Sequence, residues 1–171
     1  SVTNRIAAQL LDAQARFMHF LEKSGRLNRA IEFLPTEETL AERRAKGGGL
    51  TRPEHAVLLA YSKIWLYDEL IASSLPDDPW VATALQRYFP QALQERFASY
   101  MQRHPLRREI IATHVTNSMV NRVGSTMVHR LVETTGARAH EVVRSYLMSR
   151  EVFGLVPLWQ AIEALDNQVA D

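Results

Sequence analysis

The stretch from Gly49 to Asp78, GLTRPEHAVLLAYSKIWLYDELIASSLPDD, limits the possible folds more than any other part of the chain. Thr51-Arg52-Pro53-Glu54 has the form of a capping box, with Thr and Glu three residues apart and proline in the first turn. That pattern predicts a helix start. The helix should run from about Pro53 to Ser73. At about 100° per residue, Val57, Ile64 and Ile71 fall on one side and Leu59, Leu66 and Leu70 on another. Leu58, Tyr61 and Trp65 fill much of the rest. A helix apolar nearly all round must be covered on several faces. The segment therefore demands a globule built around it.

Proline and glycine divide the remaining sequence into pieces with helical rather than alternating periodicity. A first helix is expected from about Thr3 to Lys23, with Ile6, Leu10, Ala13, Phe17 and Leu21 on one stripe and Gly25 at its end. Leu27, Ile31 and Leu34 suggest a short second helix closed by Pro35. Thr36 is placed to cap a helix through about Lys46, with Glu37 and Glu38 near its positive end. Past the glycine triplet and the long apolar helix, Asp78 is positioned to cap a short helix over Trp80 to Tyr88. Pro90 opens an amphipathic helix ending near His104, and Leu106 to Val123 forms the next. In that helix Leu106, Ile110 and Val120 face one way, and Ile111, Val115 and Met119 the other. Ser125 or Thr126 can cap a continuation after Gly124, through Thr135. Helices over about 139–153 and 157–165 complete the series.

The fold class is therefore all-α, a multi-helix domain without a sheet. Its two central buried helices span about 53–73 and 106–123. Gly47, Gly48 and Gly49 are the loosest point. They suggest an N-terminal helical lobe over 1–46, a glycine-rich connector over 47–50 and a main helical domain over 51–171, unless all of it is one continuous domain.

A chain of 171 residues fits one domain and can bury roughly two-thirds of its unfolded surface. Its 46% hydrophobic and 23% charged residues exclude a disordered tail. The net charge of +1 gives no electrostatic reason to expect nucleic acid or an anionic membrane as partner. The absence of cysteine excludes disulfides and thiolate metal sites. No apolar run reaches the length of a membrane span, and the start lacks the basic head and greasy core of a signal peptide. The expectation is a soluble, cytoplasmic protein.

Few residues offer chemistry. Lys63, between Tyr61, Ile64 and Trp65, could act as a desolvated base or Schiff-base nucleophile. Without a glycine-rich cofactor loop nearby, a stem packed on the core with its ammonium reaching water is the favoured reading. Asn117 shares the face of Leu106, Ile110 and Val120, and Asn121 borders it. As buried amides these two would fix helix register by hydrogen bonding, or else contact a ligand. With no companion nucleophile or acid–base pair, the structural role is favoured for both, as for Lys63. Gly47-Gly48-Gly49 before a helix has the look of a phosphate cradle, but Leu50 and Thr51 stand where a Walker loop needs Lys and Ser or Thr. The six histidines show no metal-ligand spacing. Arg103, His104, Arg107 and Arg108 read as a solvated, salt-bridged turn. No GxGxxG occurs. No catalytic, cofactor-binding or metal-binding residue is therefore assigned.

The block from Gly49 to Asp78, together with LRREIIATHVTNSMVNR (Leu106 to Arg122) and REVFGLVPLWQAIEALDN (Arg150 to Asn167), resembles a helical region of the large, bacterial-type NAD-specific glutamate dehydrogenases. In that family the region lies C-terminal to the catalytic and dinucleotide-binding parts. The resemblance is clear from about Gly25 to Asn167. It implies a fragment of an oxidoreductase of amino-acid catabolism, a homo-oligomer using NAD, whose chemistry belongs to sequence outside these residues. No cofactor is expected in this part, and its partner would be the remainder of the parent polypeptide. Leu158, Ile162 and Leu165 lie on one stripe with Trp159 beside it, and are expected to form an apolar docking surface. The rival expectation is a free-standing helical protein–protein interaction module.

Overall fold

A computed structural model describes the backbone of residues 2–166 and 168, with side chains from Arg5 onward apart from Arg87. Among these residues no strand occurs, and the chain is all-α. The principal helices are α1 (Val2–Lys23), α2 (Glu37–Ala45) and α3 (Arg52–Ile71). After two short 3-10 turns come α4 (Ala84–Tyr88), α5 (Gln91–Gln94) and α6 (Ala98–Gln102). The C-terminal half consists of α7 (Arg107–Val123), α8 (Met127–Thr135), α9 (Ala139–Val152) and α10 (Leu155–Glu163).

Helix α3 begins at the capping box: Thr51 Oγ1 accepts from the Glu54 amide and the Glu54 carboxylate accepts from the Thr51 amide at 2.7 Å. The Arg43 guanidinium, donating to both Glu54 oxygens at 2.6 and 3.0 Å, is the main reason the Glu54 carboxyl is held below its usual range. Arg43 also donates to the Gly49 carbonyl, and the Gly48 amide bonds the Arg43 carbonyl at 2.7 Å. The glycine triplet is thus strapped on both sides. Gly47 takes a left-handed φ of 70° there, which a side chain would strain.

Helices α3 and α7 make the most extensive helix pair. Leu58, Trp65, Leu66 and Leu70 of α3 are buried, as are Ile111, Val115, Met119 and Val120 of α7. One side of α3 stays open, however, with Ile64 55% exposed, so its coverage is less complete than its composition suggested. Helix α3 has no basic residue in its last turn. Arg108 of α7 takes that place, donating to the carbonyls of Ile71 and Ser73 at 2.9 and 3.0 Å. Arg107 reaches Asp77 at 2.9 Å, so the basic cluster around Pro105 ties α7 to the segment after α3.

Helix α1 packs against α2 and α8, and its Phe17 ring lies 5.5 Å from that of Trp65 on α3. It buries Ala13, Phe17 and Leu21 of the expected stripe, with Leu11 and Met18 beside them, whereas Ile6 and Leu10 nearer its start are exposed. Leu27 to Leu34 forms turns rather than a helix. Leu27 and Leu34 are buried at its ends, and Asn28 Oδ1 caps the Ala30 and Ile31 amides between them. Phe33, in a left-handed conformation, projects into solvent. Asp78 Oδ1 caps the turn at Trp80 as the sequence indicated. The expected helix from Pro90 to His104 is broken into α5 and α6, because only Met101 of that stretch finds the core. Neither Ser125 nor Thr126 caps α8 with its side chain; Ser125 Oγ lies 3.5 Å from His55 Nε2 instead.

Opposite faces of α3 should respond differently to truncation. Leu66→Ala, at a fully buried site, should cost about 2–5 kcal/mol of stability, and Ile64→Ala less than about 1 kcal/mol. Urea denaturation measures both, and equal losses would contradict the orientation of α3.

Candidate docking surface

Gly154, with a left-handed φ of 57°, turns the chain from α9 into α10. Pro157 falls in the first turn of α10, where its missing N–H leaves no helical bond unmade. No residue of α10 is buried. Leu158 is 54% exposed, Ile162 58% and, just past the helix, Leu165 49%. Trp159 is half-buried, with the Arg122 guanidinium of α7 stacked 4.7 Å from its ring centre. Arg122 also pairs with Glu163.

A cation–π contact and an exposed ion pair contribute roughly 1–2 kcal/mol together. That contribution, with packing on α9, holds α10 in place while its apolar stripe stays in water. Met148 and Val152 of α9, and Phe153 just past it, are exposed as well. Helical spacing alone had brought Leu158, Ile162 and Leu165 together, and each of the three is about half exposed. Arg122 as the clamp was missed, since a residue 37 positions before Trp159 gives no sequence signal of that contact.

The expected buried polar residues are corrected. Asn117 is half-buried and Asn121 is exposed, because α7 turns the arc of Ile111, Val115 and Met119 into the core. The buried polar side chain of that helix is Thr116. Lys63 is likewise half-buried, on the flank of α3. At the start of α3, Thr51 Oγ1 takes the Glu54 amide, and the Glu54 carboxylate places negative charge beside the glycine triplet. That end of the helix does not suit a phosphate. Nor do the described residues form the strand–turn–helix unit that seats a dinucleotide.

A second concave region was not legible in the sequence, because its walls come from three distant segments. A cavity of about 760 Å³ lies between α1, α2 and α8, with His129 in its wall. His129 is buried, its ring 4.7–6.2 Å from those of Phe20, Phe17 and Trp65. Its Nδ1 lies 3.5 Å from Glu133 Oε2, which also accepts from Arg16 at 3.3 Å. The other charged groups around it are largely paired among themselves, Arg44 with Asp12 and Glu37 with Arg29. Desolvation pushes the His129 pKa below 6.5, opposed by Glu133 and reinforced by Arg16. Among the described residues no group of three His, Asp or Glu side chains could hold a metal ion, and no helix is long and apolar enough to cross a membrane.

With its pKa depressed in the folded state, His129 contributes stability above the unfolded value of 6.5. That contribution falls as pH drops from there toward the lower folded value. The urea midpoint should therefore be lower at pH 5.5 than at pH 7.5. His129→Phe should reduce that pH difference; an undiminished difference would assign it to other groups.

Comparison of the sequence with known proteins identifies its family. The chain is 44% identical over 167 residues to a protein named NAD-specific glutamate dehydrogenase from Halomonas elongata, covering 95% of this chain and 10% of that protein. A protein of the same name from Pseudomonas aeruginosa is 44% identical over 169 residues, covering 99% of this chain and 10% of its own length. Another from Mycobacterium tuberculosis is 39% identical over 164 residues, or 96% of this chain and 10% of its length. The chain thus spans about a tenth of the length of these curated relatives. The family described as "Glutamate dehydrogenase, C-terminal" matches residues 47–171, most of the chain, and this helical protein belongs to it.

Proposed function

We propose that this chain is a non-catalytic helical part of an NAD-specific glutamate dehydrogenase, and that it braces the catalytic core or passes conformational state to it. Under this reading the whole enzyme is a cytoplasmic homo-oligomer. It converts L-glutamate, NAD and water to 2-oxoglutarate, ammonia and NADH, with the cofactor held by sequence outside these residues. The observation that carries the proposal is the stripe of Leu158, Ile162 and Leu165, about half exposed on a helix without a buried residue. Apolar surface of that kind marks a contact with other protein. The chain's share of its relatives' length, about a tenth, leaves ample polypeptide to supply that contact.

Two measurements test the reading. Calorimetry of the isolated chain with NAD should show no binding, and micromolar affinity would overturn the non-catalytic assignment. In the full-length enzyme, Leu158→Lys should impair assembly or lower glutamate oxidation several-fold while leaving the melting temperature of the isolated chain within a few degrees. The isolated chain itself should self-associate as concentration rises, less so with Leu158→Lys or Trp159→Ser. Full activity and assembly in the Leu158→Lys enzyme would remove the bracing role of α10.

A further inference from the structure

The turn over residues 28–34 holds two apolar side chains in water, Phe33 at 89% exposure and Ile31 at 70%. Its backbone closes as a helix terminus does. The Leu34 amide donates to the Arg29 carbonyl at 2.9 Å, and Phe33 takes the left-handed position, with a φ of 53°, that glycine usually fills. A bulky side chain in that conformation is strained. Phe33 buries almost nothing within the chain that would offset the strain. Strain of this kind persists where the surroundings impose it, and it collects at functional contacts.

The surroundings of this turn do impose it. Leu27 and Leu34 are buried on either side. Arg29, also buried, pairs with Glu22 at 2.8 Å and Glu37 at 2.7 Å, and donates to the Pro35 carbonyl at 3.3 Å. The Tyr61 hydroxyl of α3 donates to Glu32 at 2.7 Å, and Arg26 pairs with Asp68 of the same helix. The two apolar side chains therefore stand on a rigid base, which lowers the ordering cost of a contact made through them. Arg26, Arg29 and Glu32 are matched within the chain, so the complementary surface is apolar rather than charged.

A Phe side chain offers roughly 150–250 Å² of contact, and Ile31 adds a smaller area. An interface between free proteins needs about 800 Å² from each partner. This patch is too small to hold a second copy by itself, but it can fix a segment already linked to it at high effective concentration. The chain spans about a tenth of the length of its relatives, which leaves polypeptide to supply that segment. We propose that Phe33 and Ile31 form an anchor that seats in an apolar socket elsewhere in the same enzyme polypeptide. The proposal rests on the reading of this chain as part of a larger enzyme, and not on the docking role of α10.

Phe33→p-benzoylphenylalanine in the full-length enzyme tests it by photocrosslinking. Irradiation should join position 33 to a segment outside these 171 residues, within a single chain. A product of doubled mass would assign the patch to a second copy, and no product would leave it uncovered; either overturns the proposal. Phe33→Gly should leave the melting temperature of the 171-residue chain unchanged or raise it by up to about 4 °C. In the full-length enzyme the same substitution should impair assembly or lower glutamate oxidation several-fold. A lower melting temperature of the chain would show that Phe33 serves its own fold, and an unaltered full-length enzyme would remove the anchor. Loss of function with Leu158→Lys but not with Phe33→Gly would sink this proposal alone, and the reverse pattern would sink only the role of α10.

Discussion

The packing of α3 on α7 is the contact on which the other helices depend. Each helix contributes an arc of large side chains with almost no exposure, from Leu58 to Leu70 on one and Ile111 to Val120 on the other. Burial on this scale stabilises by roughly 1.5–3 kcal/mol per large side chain before conformational entropy is set against it. The pair is also fixed in direction. Arg108 satisfies the carbonyl end of α3, so a slide of one helix past the other would expose both a charge and two orphan acceptors.

Stability falls away from that centre. Helix α1 reaches the pair through an aromatic group of Phe17, Phe20, Trp65 and His129, where a neutral imidazole completes an apolar layer. The segment from α5 to α6 commits only Met101 to the core and accordingly breaks in two. Helix α10 commits nothing and is held by α9 and by Arg122. A helix with apolar residues half in water on one side and only a clamp on the other suits an added layer of protein. The same gradient separates two kinds of concavity. The α1–α2–α8 cavity is lined by charges that are largely paired, whereas Met119, Met127, Leu131 and Val142 supply much of the wall of the α7–α8–α9 pocket.

Local rules made much of the architecture legible in the sequence. The capping box at Thr51 and Glu54, the Asp78 cap and the glycines at 25, 124 and 136 mark structures that three to six neighbouring residues decide among themselves. Periodicity likewise singled out α3 and α7 as central, and the stripe of Leu158, Ile162 and Leu165 as one surface. Those properties follow from helix geometry, which a sequence carries in full.

What the sequence left open was the rotation of each helix about its own axis and the meeting of distant segments. Asn117 and Asn121 fell outside the core because α7 had two apolar arcs of similar size, and only contact with α3 chose between them. The same choice placed Thr116 inside and left Ile64 of α3 exposed. Arg43 on Glu54, Arg108 on the end of α3, Arg122 on Trp159 and His129 among three aromatic rings are all products of tertiary placement. The sequence by itself determined the all-α class, the long helices α1, α3, α7 and α9 and the family, but not the turns over Leu27 to Leu34 or the break between α5 and α6. The tertiary structure alone decided which apolar arc is covered, because burial is settled by the total surface removed from water across all helices at once.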